Sequence, residues 1–239
     1  KIVQSNEVNR ASYFYFAFRT LMPISKSREY HLFDVGSAAG FHLWFDKYEF
    51  QDAPKSPDTI RRSSPRIRCE FNVPPIALSN DWPPKLLTRQ GVDLQPVDLS
   101  RDGEDARWAE ALVWPDHPER LSNLRLARSF LSENQSLVRQ GDAKVELSKF
   151  LKGKRPQSPI LVSFIFSANQ IFEGGLDEAV EFVSALECEG TVYLLCVGYF
   201  RDGPPTLYLA RTNPVPEIVF KGRCGLYGEW VGEISEKAP

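Results

Sequence analysis

His31-Leu32-Phe33-Asp34-Val35-Gly36-Ser37-Ala38-Ala39-Gly40 is the stretch on which the fold turns. The apolar run His31–Val35 predicts a short buried strand, Gly36 opens a turn, and the apolar Phe41–Phe45 begins a helix. Glycine lets a chain reverse sharply and lets a ligand approach the backbone. The helix start beyond it offers free N–H groups to an anion. Here that anion can be the carboxylate of an amino-acid-like cofactor, with Asp34 holding its ammonium, directly or through water. Gly36, Ser37 and Gly40 are then cofactor-binding residues. The pattern is neither a P-loop nor the dinucleotide G-x-G-x-x-G. A tight strand-to-helix turn packed with small residues accounts for the same sequence.

Upstream, residues 5–22 read as a helix and Pro23–Glu29 as a polar break. Downstream, residues 51–84 carry prolines at 54, 57, 65, 74, 75, 83 and 84, and a basic cluster at Arg61, Arg62, Arg66 and Arg68. Proline removes backbone donors, so this stretch predicts an irregular insertion or lid. Pro118–Leu131 predicts a helix with proline at its first position. Leu137–Gln140 reads as a short strand, and Gly153–Pro159 as a surface linker. Ile160–Phe166 and Thr191–Phe200 are apolar throughout and predict fully buried strands. Between them, Leu176, Ala179, Val180, Val183 and Leu186 recur at helical spacing. Thr206–Arg211 and Glu217–Lys221 predict a closing antiparallel hairpin. Continuous apolar strands alternating with helices indicate an α/β domain, 1–239, with a mostly parallel sheet covered on both faces.

Composition narrows the function. The 239 residues hold 29 Lys plus Arg and 31 Asp plus Glu, for a net charge of -2. Such a balance argues against a nucleic-acid partner, which needs a basic surface. No apolar run reaches the roughly 20 residues of a membrane span. Cys69, Cys188, Cys196 and Cys224 lack C-x-x-C spacing, and with three histidines a Cys/His metal site is not expected. Cysteines in apolar stretches read as reduced core residues and place the protein in the cytoplasm.

Two further acids follow strand ends. Asp93, in Arg89-Gln90-Gly91-Val92-Asp93-Leu94-Gln95-Pro96, can accept both hydroxyls of a ribose. Asp142, in Gly141-Asp142-Ala143, can accept from an adenine amino group. An ordinary turn explains either one. On the acceptor side, Asn6, Glu7 and Arg10 fall on the first helix, with Glu7 and Arg10 spaced as a charge pair that lines a pocket or lies on the surface. Trp114-Pro115-Asp116-His117 opens a helix, where Asp116 or His117 caps it, or Asp116 positions a substrate amine or acts as a general base. His31 and His42, flanking the glycine turn, read as packing or surface histidines.

Together these residues resemble class I S-adenosylmethionine-dependent methyltransferases. Asp34, Gly36 and Gly40 match the first motif of that superfamily, with Ala38 replacing its middle glycine. Asp93 looks like its ribose-binding acid, and Asp142 like its adenine-side acid. A closer resemblance is to an uncharacterised, mainly bacterial family of methyltransferase-like proteins, carried by 6–10, 34–43, 91–98, 113–120 and 141–143. The resemblance implies a Rossmann-like fold, S-adenosylmethionine as cofactor and a small-molecule acceptor. It brings no catalytic residue. Family members usually have a further helical region ahead of Asn6, which this sequence lacks, a glutamine where His117 stands, and a His-Ser pair where Phe166-Ser167 stands. The stretch from Phe200 to Thr206 is too short for the helix that class I enzymes place before the final hairpin. Ser167-Ala168-Asn169-Gln170 is not the Asn/Asp-Pro-Pro-aromatic signature of amino-group methylation. A non-catalytic nucleotide-binding or interaction protein on the same fold is the competing reading, ahead of an oxidoreductase.

Overall fold

Ile160–Ile165 and Val192–Gly198 are buried at every position and lie side by side within a nine-stranded sheet in the computed structural model. The structure describes residues 7–51, 64–73, 81–134, 137–152, 156–199 and 205–233. A 3-10 turn (Val8–Arg10) leads into α1 (Ala11–Ser25), then β1 (Glu29–Val35) and a 3-10 segment (Phe41–Lys47). Short strands β2 (Glu49–Phe50), β3 (Arg66–Ile67) and β4 (Glu70–Asn72) precede β5 (Lys85–Asp93). Helices α2 (Glu104–Ala111) and α3 (Pro118–Ser132) come before β6 (Val138–Gln140) and α4 (Ala143–Leu151). β7 (Ile160–Ile165), α5 (Ala168–Ile171), α6 (Gly175–Ala185) and β8 (Val192–Gly198) follow. β9 (Thr206–Asn213), β10 (Glu217–Cys224) and β11 (Trp230–Glu233) complete the order.

The sheet runs β6-β5-β1-β7-β8-β9-β10-β11-β4. β6 through β8 pair in parallel, and β8 through β11 form an antiparallel meander. The chain steps from β1 to β5 and β6 on one side, then back to β7 and β8 on the other. Strand order therefore reverses between β1 and β7. In open α/β sheets a ligand crevice forms outside the carboxyl ends of the strands at such a point.

Alternation along β1 and β7 feeds two cores. Tyr30, Leu32, Leu161 and Ile165 face one packed with α1, α2 and α3; Phe33, Val35, Val162 and Phe164 face the other, with α4 to α6. Helix α1 is buried almost all round: Tyr13, Phe14, Tyr15, Phe16 and Phe18 are at most 1% exposed. Apolar residues on every side mark a helix enclosed by protein. Tyr15 stacks on Phe50 and meets Trp82 edge-on, Phe16 packs on Phe71 and Phe220, and Phe18 stacks on Phe45.

Three sequence expectations need correction here. Pro23 does not break the chain before β1: α1 runs on to Ser25 and stops at Lys26, whose φ is +52°. Proline in the last turn forfeits only one intrahelical bond, and the aromatic burial upstream outweighs it. The proline-rich segment is not irregular throughout, since β3 pairs with β2, and β4 extends the main sheet beside β11. Trp82 belongs to the core, at 6% exposure. Residues 52–63 and 74–80, with Arg61 and Arg62, lie outside the described residues, so the lid expectation falls largely there. Finally, α2 and α4 stand where no helix was expected.

The turn between β10 and β11 is held by the start of the chain's helical region. Tyr13 Oη donates to the Gly225 carbonyl, Arg10 Nε to Leu226 (3.0 Å), Asn9 Nδ2 to Tyr227 (3.2 Å) and Ser12 Oγ to Gly228 (2.7 Å). Four consecutive carbonyls thus each take one side chain from residues 9–13. Gly228 has φ +79°, and a Cβ there would lie 2.6 Å from both Asn9 O and Ser12 Oγ. Gly228→Ala is expected to cost about 2–3 kcal/mol from left-handed strain plus overpacking. A urea midpoint unchanged from wild type would contradict this packing.

Candidate functional site

The glycine turn sits where strand order reverses. Val35 is level with Val92 on β5 and Phe164 on β7, so the chain leaves β1 between two neighbouring strand ends. Gly36 N and Ser37 N both donate to Val92 O, at 2.8 and 3.2 Å. Gly36, Ala38 and Gly40 all have positive φ (+77°, +49° and +81°). The Gly36 Cα packs so closely on Ser167 that an added Cβ would lie 2.6 Å from the serine Cβ. Across the crevice Phe166 also has a positive φ, +58°. Such a backbone is costly for a bulky residue and gathers at functional sites. Ala38 and Phe166 therefore place strain on both sides of the reversal.

Two carboxylates support this turn. Asp34, 1% exposed, accepts from Ser37 Oγ (2.8 Å) and Ser163 Oγ (2.6 Å). Burial pushes its pKa up to about 6, against the opposing pull of those two hydroxyls. Asp34 therefore shapes the turn from below, with each oxygen already engaged by a serine. Asp93, at the end of β5, accepts from the Ala38 N–H at 2.8 Å and from the Gln95 N–H at 2.9 Å. It stands directly against the turn despite the long intervening chain, because β1 and β5 are parallel neighbours. Asp142 caps α4, accepting from Val145 N at 3.0 Å.

The acceptor-side residues are brought together differently from their expected arrangement. Glu7 does not pair with Arg10. It caps the 3-10 turn, its Oε1 accepting from Asn9 N at 3.1 Å. Its Oε2 pairs with Arg120 of α3, Nε and Nη2 each at 2.6 Å. Arg120 lies over the Tyr227 ring, 3.9 Å from its centroid. Arg10 instead stacks over Phe166, at 4.2 Å, and Phe166 meets Tyr199 at 5.8 Å. Glu7 caps and Arg10 ends a 3-10 turn, so α-helical spacing does not apply to them. Asn6 lies outside the described residues.

His42 closes the arrangement on the turn's other side. Its Nε2–H donates to the Glu7 carbonyl at 3.2 Å, and its ring packs on Phe14. Burial lowers its pKa to about 4, so it is neutral at neutral pH. His31 Nδ1 meets Thr88 Oγ1 at 2.8 Å across the β1–β5 pair, a packing role as expected. A closed path of contacts thus runs Gly36–Ser167–Phe166–Arg10–Glu7–His42 and back to Gly40.

Trp114 and Asp116 lie outside that path. Trp114 is 69% exposed, and the exposed Asp116 lies 3.8 Å from His117 Nε2. His117 occupies the cap position of α3 without a side-chain bond, so neither residue caps the helix. Arg120, Phe166, Ser167, Tyr199 and Tyr227 join the same set of contacts and were not singled out as site residues. Arg120 sits 113 positions from its partner Glu7, so no local pattern announces the pair.

A bacterial protein family, described as an uncharacterized protein conserved in bacteria (DUF2332), matches residues 1–232. The chain belongs to that family. No curated protein and no solved structure matches it. The family match spans both the glycine turn and the Glu7–Arg120 cluster, and it ends just past the clamped turn. Among the described residues, no helix is long and apolar enough to cross a membrane.

Proposed function

We propose that the protein is an S-adenosylmethionine-dependent methyltransferase of the Rossmann-like class, acting on a small-molecule acceptor. The observation that carries this reading is the strained glycine turn at the strand-order reversal, with the Asp93 carboxylate bonded across to it. Gly36 and Gly40 leave no room for a Cβ, the former against Ser167 and the latter 2.7 Å from Val138. Gly36, Ser37 and Gly40 would accept the amino-acid end of the cofactor against bare backbone. Asp93 would exchange its Ala38 contact for ribose hydroxyls, and Asp142, past the end of β6, would accept from the adenine. The serine-engaged Asp34 would act through the turn's shape. When bound, S-adenosylmethionine supplies a methyl group on a good leaving group, so the protein's task is to align the acceptor and exclude water.

A second reading, a non-catalytic nucleotide-binding protein, is favoured by one observation. Both Asp93 oxygens are satisfied by backbone N–H groups, which makes the turn complete by itself. Titration calorimetry with S-adenosylhomocysteine tests the cofactor site. Wild type is expected to bind in the micromolar range, and Asp93→Ala at least about tenfold more weakly, or ~1.4 kcal/mol. A folded wild type that releases no heat and binds nothing would sink the proposal. Binding without methyl transfer to any acceptor would leave the second reading standing.

A further inference from the structure

We propose that Arg10 and Arg120 form a binding site for an oxyanion, a carboxylate or a phosphate, beside the glycine turn. The site goes beyond the cofactor assignment and does not depend on it. Arg10 is 7% exposed, yet no carboxylate pairs with it among the described residues. Its Nε is taken by the Leu226 carbonyl and one face by the Phe166 ring. Nη1 and Nη2 make no hydrogen bond among the described residues, so the outer edge of the guanidinium is left open.

Arg120 contributes a further unpaired donor. Its Nε and Nη2 are spent on Glu7, whereas Nη1 is buried without a partner. The two cations act on one another: burial lowers the pKa of Arg10, Tyr13 and Glu7 oppose that, and the charge of Arg120 adds to the lowering. They are anchored on adjacent residues of one turn, Leu226 and Tyr227. Glu7 is hydrogen-bonded to Arg120 and acts on Arg10 only through space, so the two cations share its charge. A buried cation that shares its counter-charge is costly, and an anion at its open edge would offset that cost.

The geometry selects the class of that group. A guanidinium edge presents parallel N–H donors that match the two oxygens of a carboxylate or phosphate. Arg10 and Arg120 each lie over a ring, so little freedom remains to be lost on binding. Phe166 and Tyr199 line the approach, and Tyr199 is 46% exposed. Because Phe166 leads directly into Ser167, which touches Gly36, an anion on Arg10 would lie next to the glycine turn.

Titrations without cofactor test the site. Inorganic phosphate, and separately benzoate, would be added to the whole protein at ionic strength held constant with chloride, with binding read by calorimetry. Saturable binding of either ion is expected; tighter phosphate would assign a phosphoryl group, tighter benzoate an aromatic carboxylate. Arg10→Gln is expected to weaken binding by about tenfold or more, Arg10→Lys by less. Arg28→Gln, at an exposed arginine facing Asp81 at 3.8 Å, should bind like wild type. Should Arg10→Gln fail to fold, arginine-labelled wild-type protein read by NMR replaces it, and two guanidinium resonances should shift with phosphate or benzoate. No saturable binding to folded wild type, unaltered affinity in Arg10→Gln, or no shifting arginine resonance would each overturn the proposal.

Discussion

Arg120→Ala is expected to lower the unfolding free energy by about 3–5 kcal/mol, the cost of breaking a buried ion pair from one side. Glu7 is 5% exposed, and Arg120 supplies two of the three donors its carboxylate has. Removing the guanidinium leaves a buried anion with one backbone N–H, and strips the Tyr227 ring of its covering cation. Replacing both partners by apolar residues of similar volume, Glu7→Met with Arg120→Met, should recover most of the loss, because desolvation and attraction are removed together. Urea denaturation of the two singles and the double gives the coupling directly. A loss below about 1 kcal/mol in Arg120→Ala would class the contact with exposed pairs and contradict its burial.

Asp34→Asn and His42→Gln are expected to tilt the pH dependence of stability in opposite directions. The Asp34 pKa is about 6 in the fold, against about 3.9 unfolded. Between those values the folded protein holds the extra proton, so stability falls as pH rises. The His42 pKa is about 4 in the fold, against about 6.5 unfolded. There the unfolded chain holds the extra proton, and stability is lost as pH falls from 6.5 toward 4. Each group is worth about 3 kcal/mol across its window. In wild type the two nearly cancel. Asp34→Asn should therefore gain stability by about that amount from pH 4 to 6.5, and His42→Gln should lose it. Urea midpoints measured across that range decide the matter. Variants that run parallel to wild type would show that neither group titrates abnormally.

What could be read in the chain, and what could not, follows from how local the physics is. β1, β7, β8 and α6 announce themselves through continuous or periodic apolar residues. The final hairpin was legible for the same reason. Helix α2 was not, because only Ala106 and Ala109 of it are buried, and alanine carries little hydropathic signal. β4 has no buried residue and is a strand only through β11, which lies far along the sequence. Of the candidate site, the glycine turn and Asp93 meet although more than fifty residues separate them, because β1 and β5 are parallel neighbours. The partners of Glu7 and Arg10 come from α3, β7 and the β10–β11 turn, and no spacing rule links such distant elements.

The clamp on residues 225–228 carries a consequence for synthesis. Ser12 and Gly228, which it joins, are 216 positions apart. Arg10 cannot take up its place over Phe166 with its Nε satisfied until Leu226 has left the ribosome. Contacts of such long range make folding slow, since the closure of the chain precedes its reward. A nascent chain stopped before β10 would carry β1, the glycine turn and β7 with Phe16 of α1 lacking its Phe220 partner. It is that partial chain, rather than the finished protein, that chaperones must shield from its neighbours.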